Sequence, residues 1–280
     1  MRVSVIQMSP GSRKSDNLDQ AERLIGQAVE ADRPDLVILP EMWSCLGGTA
    51  DDKNLAAEFI PVEDIEGQAA HEFLRQTARR HGIHVHGGSI GERSGDRLLN
   101  TSLLFGPSGR RLGIYRKIHL FDVITPGGEG YKESDTYRPG DEVVTVSLEG
   151  PLSSQRLGMA ICYDLRFAEL FRRLREEGAD IVALPAAFTT ETGAAHWEVL
   201  LRARAIEFQF WVAASGTTGR HRNAAGADRM TYGNSLVVDP WGTVVARAAD
   251  GQGWASARID PERSHQVRIG MPVMEHRRLS

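Results

Sequence analysis

Two stretches of the chain share one pattern, in which an aspartate precedes four apolar residues and a proline: Asp35-Leu-Val-Ile-Leu-Pro40 and Asp180-Ile-Val-Ala-Leu-Pro185. Short runs that are apolar throughout are typical of strands buried on both faces of a sheet. Proline cannot donate to the ladder of a sheet, so the first strand is expected to end at Pro40. A segment with apolar residues at helical spacing precedes each run, at 17–31 and at 165–174. The repeat therefore predicts an α/β fold built from two β-α-β halves.

Further segments have the pattern of strands or helices. Apolar runs predict strands at 3–7, 83–87, 100–105, 112–117, 156–161 and 211–214, and turns rich in glycine and proline predict hairpins at 106–109 and 239–242. Helical spacing predicts helices at 68–81 and 196–208. The breaks between these elements are short, without a linker or a low-complexity tract. We therefore expect α/β layers in which helices cover sheets, in a single domain of residues 1–280.

The composition excludes several classes of protein. The chain has 280 residues, of which 41% are hydrophobic and 25% are charged, so it can bury a substantial core. A net charge of -4 does not suit a general binder of nucleic acid or of membrane surfaces. The apolar stretches are far shorter than the roughly 18 to 20 residues that span a bilayer. The first residues also lack the pattern of a secretory signal, so we expect a cytoplasmic protein whose two cysteines stay reduced.

Two residues with reactive side chains, Glu41 and Cys162, directly follow apolar strands. Ligands of open α/β sheets bind at the carboxyl ends of strands, so both positions suit a site. Cys162 also precedes a helical segment, whose first N–H groups would favour a thiolate. Taken alone, a buried cysteine is more often a small hydrophobic residue, and an isolated glutamate is more often a helix cap. Their shared position at strand ends favours a nucleophile with a carboxylate as its base.

The nine histidines offer no obvious base for Cys162. His81, His84 and His86 form a cluster that resembles a metal site, but no acidic or cysteine ligand accompanies it. Histidines of the core or of the surface are the better interpretation, and we expect neither a metal nor a cofactor. Lys117 lies between apolar and aromatic neighbours, which fits either an ammonium group directed inward or a lysine in a structural salt bridge.

Three motifs of the chain resemble those of the nitrilase superfamily of carbon-nitrogen hydrolases. They are Leu39-Pro-Glu41, Tyr115-Arg-Lys-Ile-His-Leu-Phe-Asp122 and Gly158-Met-Ala-Ile-Cys-Tyr-Asp-Leu-Arg-Phe167. The Glu-Lys-Cys triad of that family corresponds to Glu41, Lys117 and Cys162, in the same order and at similar spacing. The segments 192–207 and 237–246 resemble signatures of the Nit branch, while Asn234 stands where that branch often has histidine.

The resemblance implies a fold and a set of catalytic roles. The fold is a four-layer α-β-β-α sandwich whose protomers associate into homodimers or larger assemblies. Cys162 is then the nucleophile, and Glu41 transfers protons once burial has raised its pKa. Lys117 and the backbone N–H of Tyr163 stabilise the oxyanion. Glu133 matches the position of an additional active-site glutamate.

The resemblance also implies a class of substrate. Arg166 corresponds to an arginine on the side of a substrate carboxylate, with Phe188 and Thr192 in the same pocket, although an internal ion pair of Arg166 fits the residues equally well. We therefore expect an amidase that converts the terminal amide of a small carboxylate-bearing substrate, of the deaminated glutathione or α-ketoglutaramate type, to acid and ammonia through a thioester. Nitriles and N-carbamoyl amines are alternative substrates, and a non-catalytic binding protein is the alternative class.

Overall fold

The structure is a computed structural model that describes residues 1–125, 127–128, 130–222 and 228–279. The α-helices of this part of the chain are α1 (Lys14–Asp32), α2 (Ala50–Ala56), α3 (Ala69–His81), α4 (Ala168–Glu176), α5 (Thr190–Phe208) and α6 (Pro261–Gly270). Its first nine strands are β1 (Arg2–Gln7), β2 (Leu36–Ile38), β3 (His84–His86), β4 (Ile90–Ser94), β5 (Arg97–Phe105), β6 (Arg111–Arg116), β7 (Asp122–Ile124), β8 (Gly130–Lys132) and β9 (Thr145–Ser147). The remaining strands are β10 (Arg156–Met159), β11 (Ile181–Ala186), β12 (Trp211–Gly216), β13 (Thr218–Arg222), β14 (Asp228–Tyr232), β15 (Leu236–Val238), β16 (Val244–Arg247) and β17 (Gly253–Arg258).

The strands form two mixed sheets of similar design and two small hairpins. The first sheet has the order β17-β1-β2-β3-β5-β4, with β6 paired to β5, and the second has the order β16-β15-β12-β11-β10-β9. The centre of each sheet is parallel, β1-β2-β3 in the first and β10-β11-β12 in the second, and antiparallel strands flank it. Helix α1 connects β1 to β2, and α4 connects β10 to β11. The structure therefore confirms the two β-α-β halves that the repeated aspartate-to-proline pattern predicts.

The two sheets pack against each other and helices cover them. Val3 and Val5 of β1 share one hydrophobic cluster with Leu157 of β10. Ile6, on the other face of β1, belongs to a second cluster, which includes Leu24 of α1 and apolar residues of α3. Helices α4 and α5 contribute buried side chains against the second sheet. The predicted four-layer α-β-β-α sandwich is confirmed, and burial of each large apolar side chain stabilises it by about 1.5 to 3 kcal/mol.

Several boundaries differ from those expected. Helix α5 begins at Thr190 rather than at His196, because the Thr189 side chain accepts a hydrogen bond from the Thr192 N–H and so caps the helix. The first turns contain small residues without an apolar face, which hides them from a search for periodicity. Unlike the strand before Pro40, strand β11 continues through its proline, because Pro185 pairs with Ser215 of β12. Helices α2 and α6 were not expected from the sequence. Among the helices that the structure describes, none is long and apolar enough to cross a membrane.

Candidate active site

The eight residues that the sequence points to line one cavity. They are Glu41, Lys117, Glu133, Cys162, Tyr163, Arg166, Phe188 and Thr192. The cavity has an empty volume of about 880 Å³, including the part open to solvent. It lies beyond the carboxyl ends of β2 and β10, as the position of Glu41 and Cys162 predicts. Residues that are up to 151 positions apart in the sequence, from Glu41 to Thr192, therefore share one site.

Lys117 directly follows β6 and is buried, with a side chain that is 2% exposed. Its ammonium Nζ lies 3.0 Å from Glu41 Oε1 and 2.7 Å from Glu133 Oε2. Burial of a charge is costly unless opposite charges and hydrogen bonds compensate it, and two carboxylates do so here. Both features that the sequence left open for Lys117 are present, since its ammonium group is directed inward and forms salt bridges with Glu41 and Glu133, which line the cavity.

Asn100 connects the two carboxylates and was not singled out from the sequence. Its side-chain amide donates to Glu41 Oε1 at 2.9 Å and to Glu133 Oε1 at 3.2 Å, and its backbone carbonyl accepts from the Lys117 N–H at 2.9 Å. The residue lies on β5, next to β6, where pairing of the two strands sets its distance from Lys117. The available signal was an amide side chain at the start of the strand expected at 100–105.

Cys162 begins a 3₁₀-helix of residues Cys162–Arg166 that leads into α4. Its φ angle is 48°, in the left-handed region that a residue with a side chain rarely adopts. Such strain is typical of functional positions and of the strand-to-helix corner that exposes a nucleophile. The corner that the sequence predicts is thus present, although a short 3₁₀ turn stands where a regular helix was expected.

Asp164 holds this turn in place and was also not singled out. Its carboxylate is fully buried and accepts hydrogen bonds from the Ile161 N–H at 2.8 Å, from the Tyr115 hydroxyl at 2.7 Å and from the backbone N–H of His119 at 3.0 Å. Tyr115 and His119 flank Lys117 in sequence. One carboxylate therefore joins the turn that carries the sulfur to the segment that carries the ammonium group. His119 contacts Asp164 and stacks on an aromatic ring, which agrees with a structural histidine.

The titration of Cys162 and Glu41 differs from what their sequence context predicts. Burial raises the pKa of the Cys162 thiol well above its usual value, and the Glu41 carboxylate raises it further, while Lys117 and a backbone hydrogen bond from Ala187 lower it. Burial also acts to raise the pKa of Glu41, but the charges of Lys117 and Arg229 and the hydrogen bonds from Cys162 and Lys117 together outweigh burial and lower it. The expected thiolate and the expected rise of the Glu41 pKa are both wrong. Without substrate, the site holds a thiol beside a carboxylate.

Arg166 lies on the wall of the cavity between two aromatic rings. Its guanidinium carbon is 5.7 Å from the centre of the Tyr163 ring and 5.5 Å from that of the Phe188 ring. Both of its terminal nitrogens are 3.3 Å from His196 Nδ1. No carboxylate in the described part of the chain pairs with it. The internal ion pair that the sequence left open is therefore absent from these residues, and the arginine faces the cavity.

The structure also places the second cysteine, two of the three clustered histidines and Asn234. Cys45 lines the same cavity, and burial raises its pKa to about 11. His84 and His86 are buried on β3, and burial lowers the pKa of His86 to about 3. Within the described ranges, no group of three or more His, Cys, Asp or Glu side chains could hold a metal ion. Asn234 lies outside the lining of the cavity and accepts a hydrogen bond from Arg247.

Comparison with known proteins gives consistent matches over nearly the whole chain. The carbon-nitrogen hydrolase family model matches residues 2–269. The chain is 38% identical to the deaminated glutathione amidase of Synechocystis sp., with 98% of this chain and 97% of that protein covered. It is 37% identical to omega-amidase NIT2 of Xenopus tropicalis, with 99% and 95% covered. Among solved structures, Saccharomyces cerevisiae Nit3, a member of branch 10 of the nitrilase superfamily, has a TM-score of 0.85 at 32% identity, with 100% and 97% covered.

Proposed function

This chain belongs to the carbon-nitrogen hydrolase family, and from this premise we propose that it is a cysteine-dependent amidase for a small substrate that carries a carboxylate. The observation that carries the proposal is the meeting of a thiol, a carboxylate and an ammonium group at one cavity. Amide hydrolysis needs a nucleophile, a group that moves protons and a group that stabilises the oxyanion. Cys162, Glu41 and Lys117 supply one function each.

In the first half-reaction, the Cys162 sulfur attacks the amide carbon while the thiol proton moves to the Glu41 carboxylate. Because the free site holds a thiol and a carboxylate, the proton leaves only as the carbon–sulfur bond forms and negative charge moves to the carbonyl oxygen. The Lys117 ammonium group and the Tyr163 N–H, which lies in the first turn of a helix where N–H groups lack intrahelical acceptors, stabilise that oxygen. Glu41 then protonates the nitrogen, which leaves as ammonia or, from a substituted amide, as an amine.

In the second half-reaction, Glu41 removes a proton from water, which attacks the thioester and releases the acid. The same carboxylate returns the proton to the sulfur, so one base serves both steps. Lys117 does not need to give up its proton. Although burial lowers its pKa, Glu133 and Glu41 raise that pKa well above the usual value. Glu133 is a positioning residue in this scheme, since its carboxylate holds the Lys117 ammonium group at 2.7 Å.

Arg166 is the reason for assigning a carboxylate to the substrate. A guanidinium group forms two parallel hydrogen bonds with a carboxylate, and the stacking of Arg166 on Tyr163 and Phe188 fixes the plane of that group. Thr192, at the start of α5, lines the same cavity. The relatives named for deaminated glutathione and omega-amide hydrolysis support a 2-oxo acid that carries a distant amide.

A screen for released ammonia or amine tests this function with amides of 2-oxo acids, neutral amides, nitriles and N-carbamoyl amines. We expect the carboxylate-bearing amides to give the highest kcat/KM. Intact mass after rapid quenching is expected to detect an acyl adduct on the wild-type protein and none on the Cys162→Ala protein, whose circular dichroism spectrum stays native. Turnover by Cys162→Ala would overturn the mechanism. Release from nitriles or N-carbamoyl amines alone would overturn the amidase assignment.

The proposal also covers the domain organisation, the oligomeric state and the cellular compartment of the protein. We propose that residues 1–280 form one domain, since strands of both sheets share one hydrophobic cluster. We propose a homodimer or a larger homo-oligomer, which light scattering after size-exclusion chromatography tests directly. We propose the cytoplasm as the compartment, because a free Cys162 thiol is needed for turnover and thiols remain reduced there.

A further inference from the structure

The loop that connects β3 to β4, residues 87–89, lies beside the segment that carries Glu41, the base of the proposed reaction. This 87–89 loop has the sequence Gly-Gly-Ser, and none of its residues lines the cavity. Glu41 follows β2, which pairs with β3 in parallel, and the Leu39 N–H extends this pairing by donating to the His86 carbonyl at 3.0 Å. Both segments therefore leave the same edge of the first sheet and run side by side.

Hydrogen bonds join the 87–89 loop to the backbone on both sides of this base. The Ser89 N–H donates to the Pro40 carbonyl at 3.1 Å, directly before it. Directly after it, the Met42 N–H donates to the Ser89 hydroxyl at 3.0 Å. The indole N–H of Trp43 then donates to the Gly87 carbonyl at 2.7 Å. Ser89 therefore holds both neighbours of the base, one through its backbone and one through its side chain.

The backbone at Met42 needs such support. Its φ angle is 50°, in the left-handed region that residues with a side chain rarely adopt. A strained conformation of this kind persists only where the surrounding structure fixes it. Met42 and Ser89 are both buried, and loss of the Ser89 hydroxyl would leave the Met42 N–H without that acceptor. The turn is then free to relax, and the base moves with it.

Gly88 allows the loop to come this close. Its φ angle is 54°, and a Cβ atom at this position would lie 2.0 Å from the Pro40 carbonyl oxygen. The Gly88 carbonyl accepts a hydrogen bond from the Ser102 hydroxyl on β5. Asn100, whose amide donates to the base, lies two residues earlier on that strand and so on the same face. One face of β5 thus supports both the base and the loop that holds it.

We infer that Ser89 is a positioning residue, which holds the Glu41 carboxylate against the Cys162 thiol by fixing the Met42 N–H. This inference rests on the proposed function, because it concerns the base of that reaction. The hydrogen bond between Glu41 and Cys162 is the contact that Ser89 maintains. Since Ser89 does not line the cavity, its effect is expected on proton transfer and so on kcat, and not on substrate binding.

Ser89→Ala tests this role with two readouts. We expect kcat to fall about 10- to 100-fold with an unchanged KM, because a displaced base transfers protons less effectively. Ser89→Thr keeps the hydroxyl group and is expected to restore most of this loss. The second readout is the pH profile of Cys162 alkylation by iodoacetamide, followed by mass on the peptide that carries Cys162. Because the Glu41 charge and hydrogen bond raise the pKa of Cys162, a receding carboxylate moves the midpoint of this profile about half a pH unit lower.

Ser235→Ala is the matched control. Ser235 is also fully buried, its hydroxyl accepts a hydrogen bond from a backbone N–H, that of Gly216, at 2.9 Å, and it does not line the cavity. We expect urea unfolding to show a comparable loss of stability in both variants, while Ser235→Ala keeps the wild-type kcat per folded molecule and the wild-type alkylation profile. Equal values of kcat and of the midpoint in the two variants would overturn the inference.

A pair of glycine variants gives a second test that does not depend on Ser89→Ala. Gly88 and Gly82 have similar positive φ angles, 54° and 65°, but a Cβ atom at Gly82 meets open space. Alanine therefore strains the backbone at both positions and pushes on the Glu41 segment only at Gly88. We expect a lower kcat and a lower alkylation midpoint in Gly88→Ala and wild-type values in Gly82→Ala. Wild-type values in both variants would count against a loop that positions the base.

The alkylation profile also separates this inference from the proposed function, because it needs no substrate. If the wild-type protein hydrolyses none of the screened compounds while Ser89→Ala but not Ser235→Ala shifts the profile, the function fails and the placement of Glu41 by Ser89 stands. If amides are hydrolysed and the two variants have the same kcat and profile, the function stands and the inference fails. Should Ser89→Ala not fold, Ser89→Cys, which keeps a weaker acceptor, is expected to give smaller shifts in the same direction, and wild-type values there would overturn the inference.

Discussion

Two buried ion clusters of this protein have similar chemistry and different surroundings. In the cavity cluster, Lys117 contacts Glu41 and Glu133, and in the helix cluster, Lys14 contacts Glu58 at 2.7 Å. Glu58 is fully buried and accepts hydrogen bonds from the first N–H groups of α3, at 2.7 and 3.0 Å. The residues of the helix cluster do not line the active-site cavity. Buried carboxylates paired with lysine are therefore not by themselves a sign of catalysis.

The two clusters differ in the groups that surround their carboxylates, Glu58 in the helix cluster and Glu41 in the cavity cluster. Both oxygens of Glu58 accept hydrogen bonds from the protein, and the N-terminal end of the α3 dipole favours their charge. Glu41 instead faces a thiol and an open cavity, where a proton can move during a reaction. The comparison predicts that changes in the cavity cluster alter turnover and that changes in the helix cluster alter stability.

The largest effect is expected from Glu41→Gln. Without the general base, turnover falls about 10³-fold. The same change removes a negative charge that raises the pKa of Cys162, while the Lys117 charge that lowers it remains. The thiolate therefore forms at lower pH, and the pH profile of Cys162 alkylation by iodoacetamide shifts to lower pH than in the wild-type protein. A profile that shifts to higher pH would contradict the charge arrangement of the cavity cluster.

Glu133→Gln is expected to reduce kcat about 10²-fold, because Lys117 loses one of its two anionic partners and its position against the oxyanion. The reduction appears in kcat more than in KM, since Glu133 holds a group that acts in the transition state. Glu133→Asp, which keeps the charge, restores part of the activity. A purely structural role would predict lower stability with normal kcat per folded molecule, which urea unfolding and activity assays distinguish.

Glu58→Ala tests the helix cluster. Loss of the carboxylate leaves two helix N–H groups and the Lys14 ammonium group without their acceptor, which lowers the free energy of unfolding by about 3 kcal/mol. Urea unfolding measures this change. The folded fraction is expected to keep wild-type kcat and KM at 25 °C. A fall in kcat that exceeds the loss of folded protein would remove the distinction between the two clusters.

The smallest effect is expected from Arg166→Ala. It raises KM about tenfold for amides that carry a carboxylate, because one charge-assisted pair with the substrate is lost. Arg172→Ala is the control, since Arg172 pairs with Glu176 along α4 and does not line the cavity. Equal losses on neutral and carboxylate-bearing amides would show that Arg166 does not recognise the carboxylate.

Much of the fold was predictable because its strands are apolar and short. The aspartate-to-proline pattern at 35–40 and 180–185 identified β2 and β11, and strand ends led to Glu41 and Cys162. The hairpin of β13 and β14 was not predicted, because it is short, polar and partly exposed. Because this hairpin was not predicted, Arg229 of β14 was not recognised as a residue that lines the cavity. In the structure its side chain donates a hydrogen bond to the Ala187 carbonyl.

The amino-acid sequence by itself determined the order of the buried strands and the identity of the thiol, the carboxylates and the lysine that the site uses. Tertiary structure decided their charges. Desolvation and Coulomb energies depend on burial and on distances between groups, and sequence spacing encodes neither. Cys162 is therefore a thiol rather than the expected thiolate, and Glu41 is a carboxylate whose pKa is lowered rather than raised. Packing of strands from distant parts of the chain around one cavity sets both states.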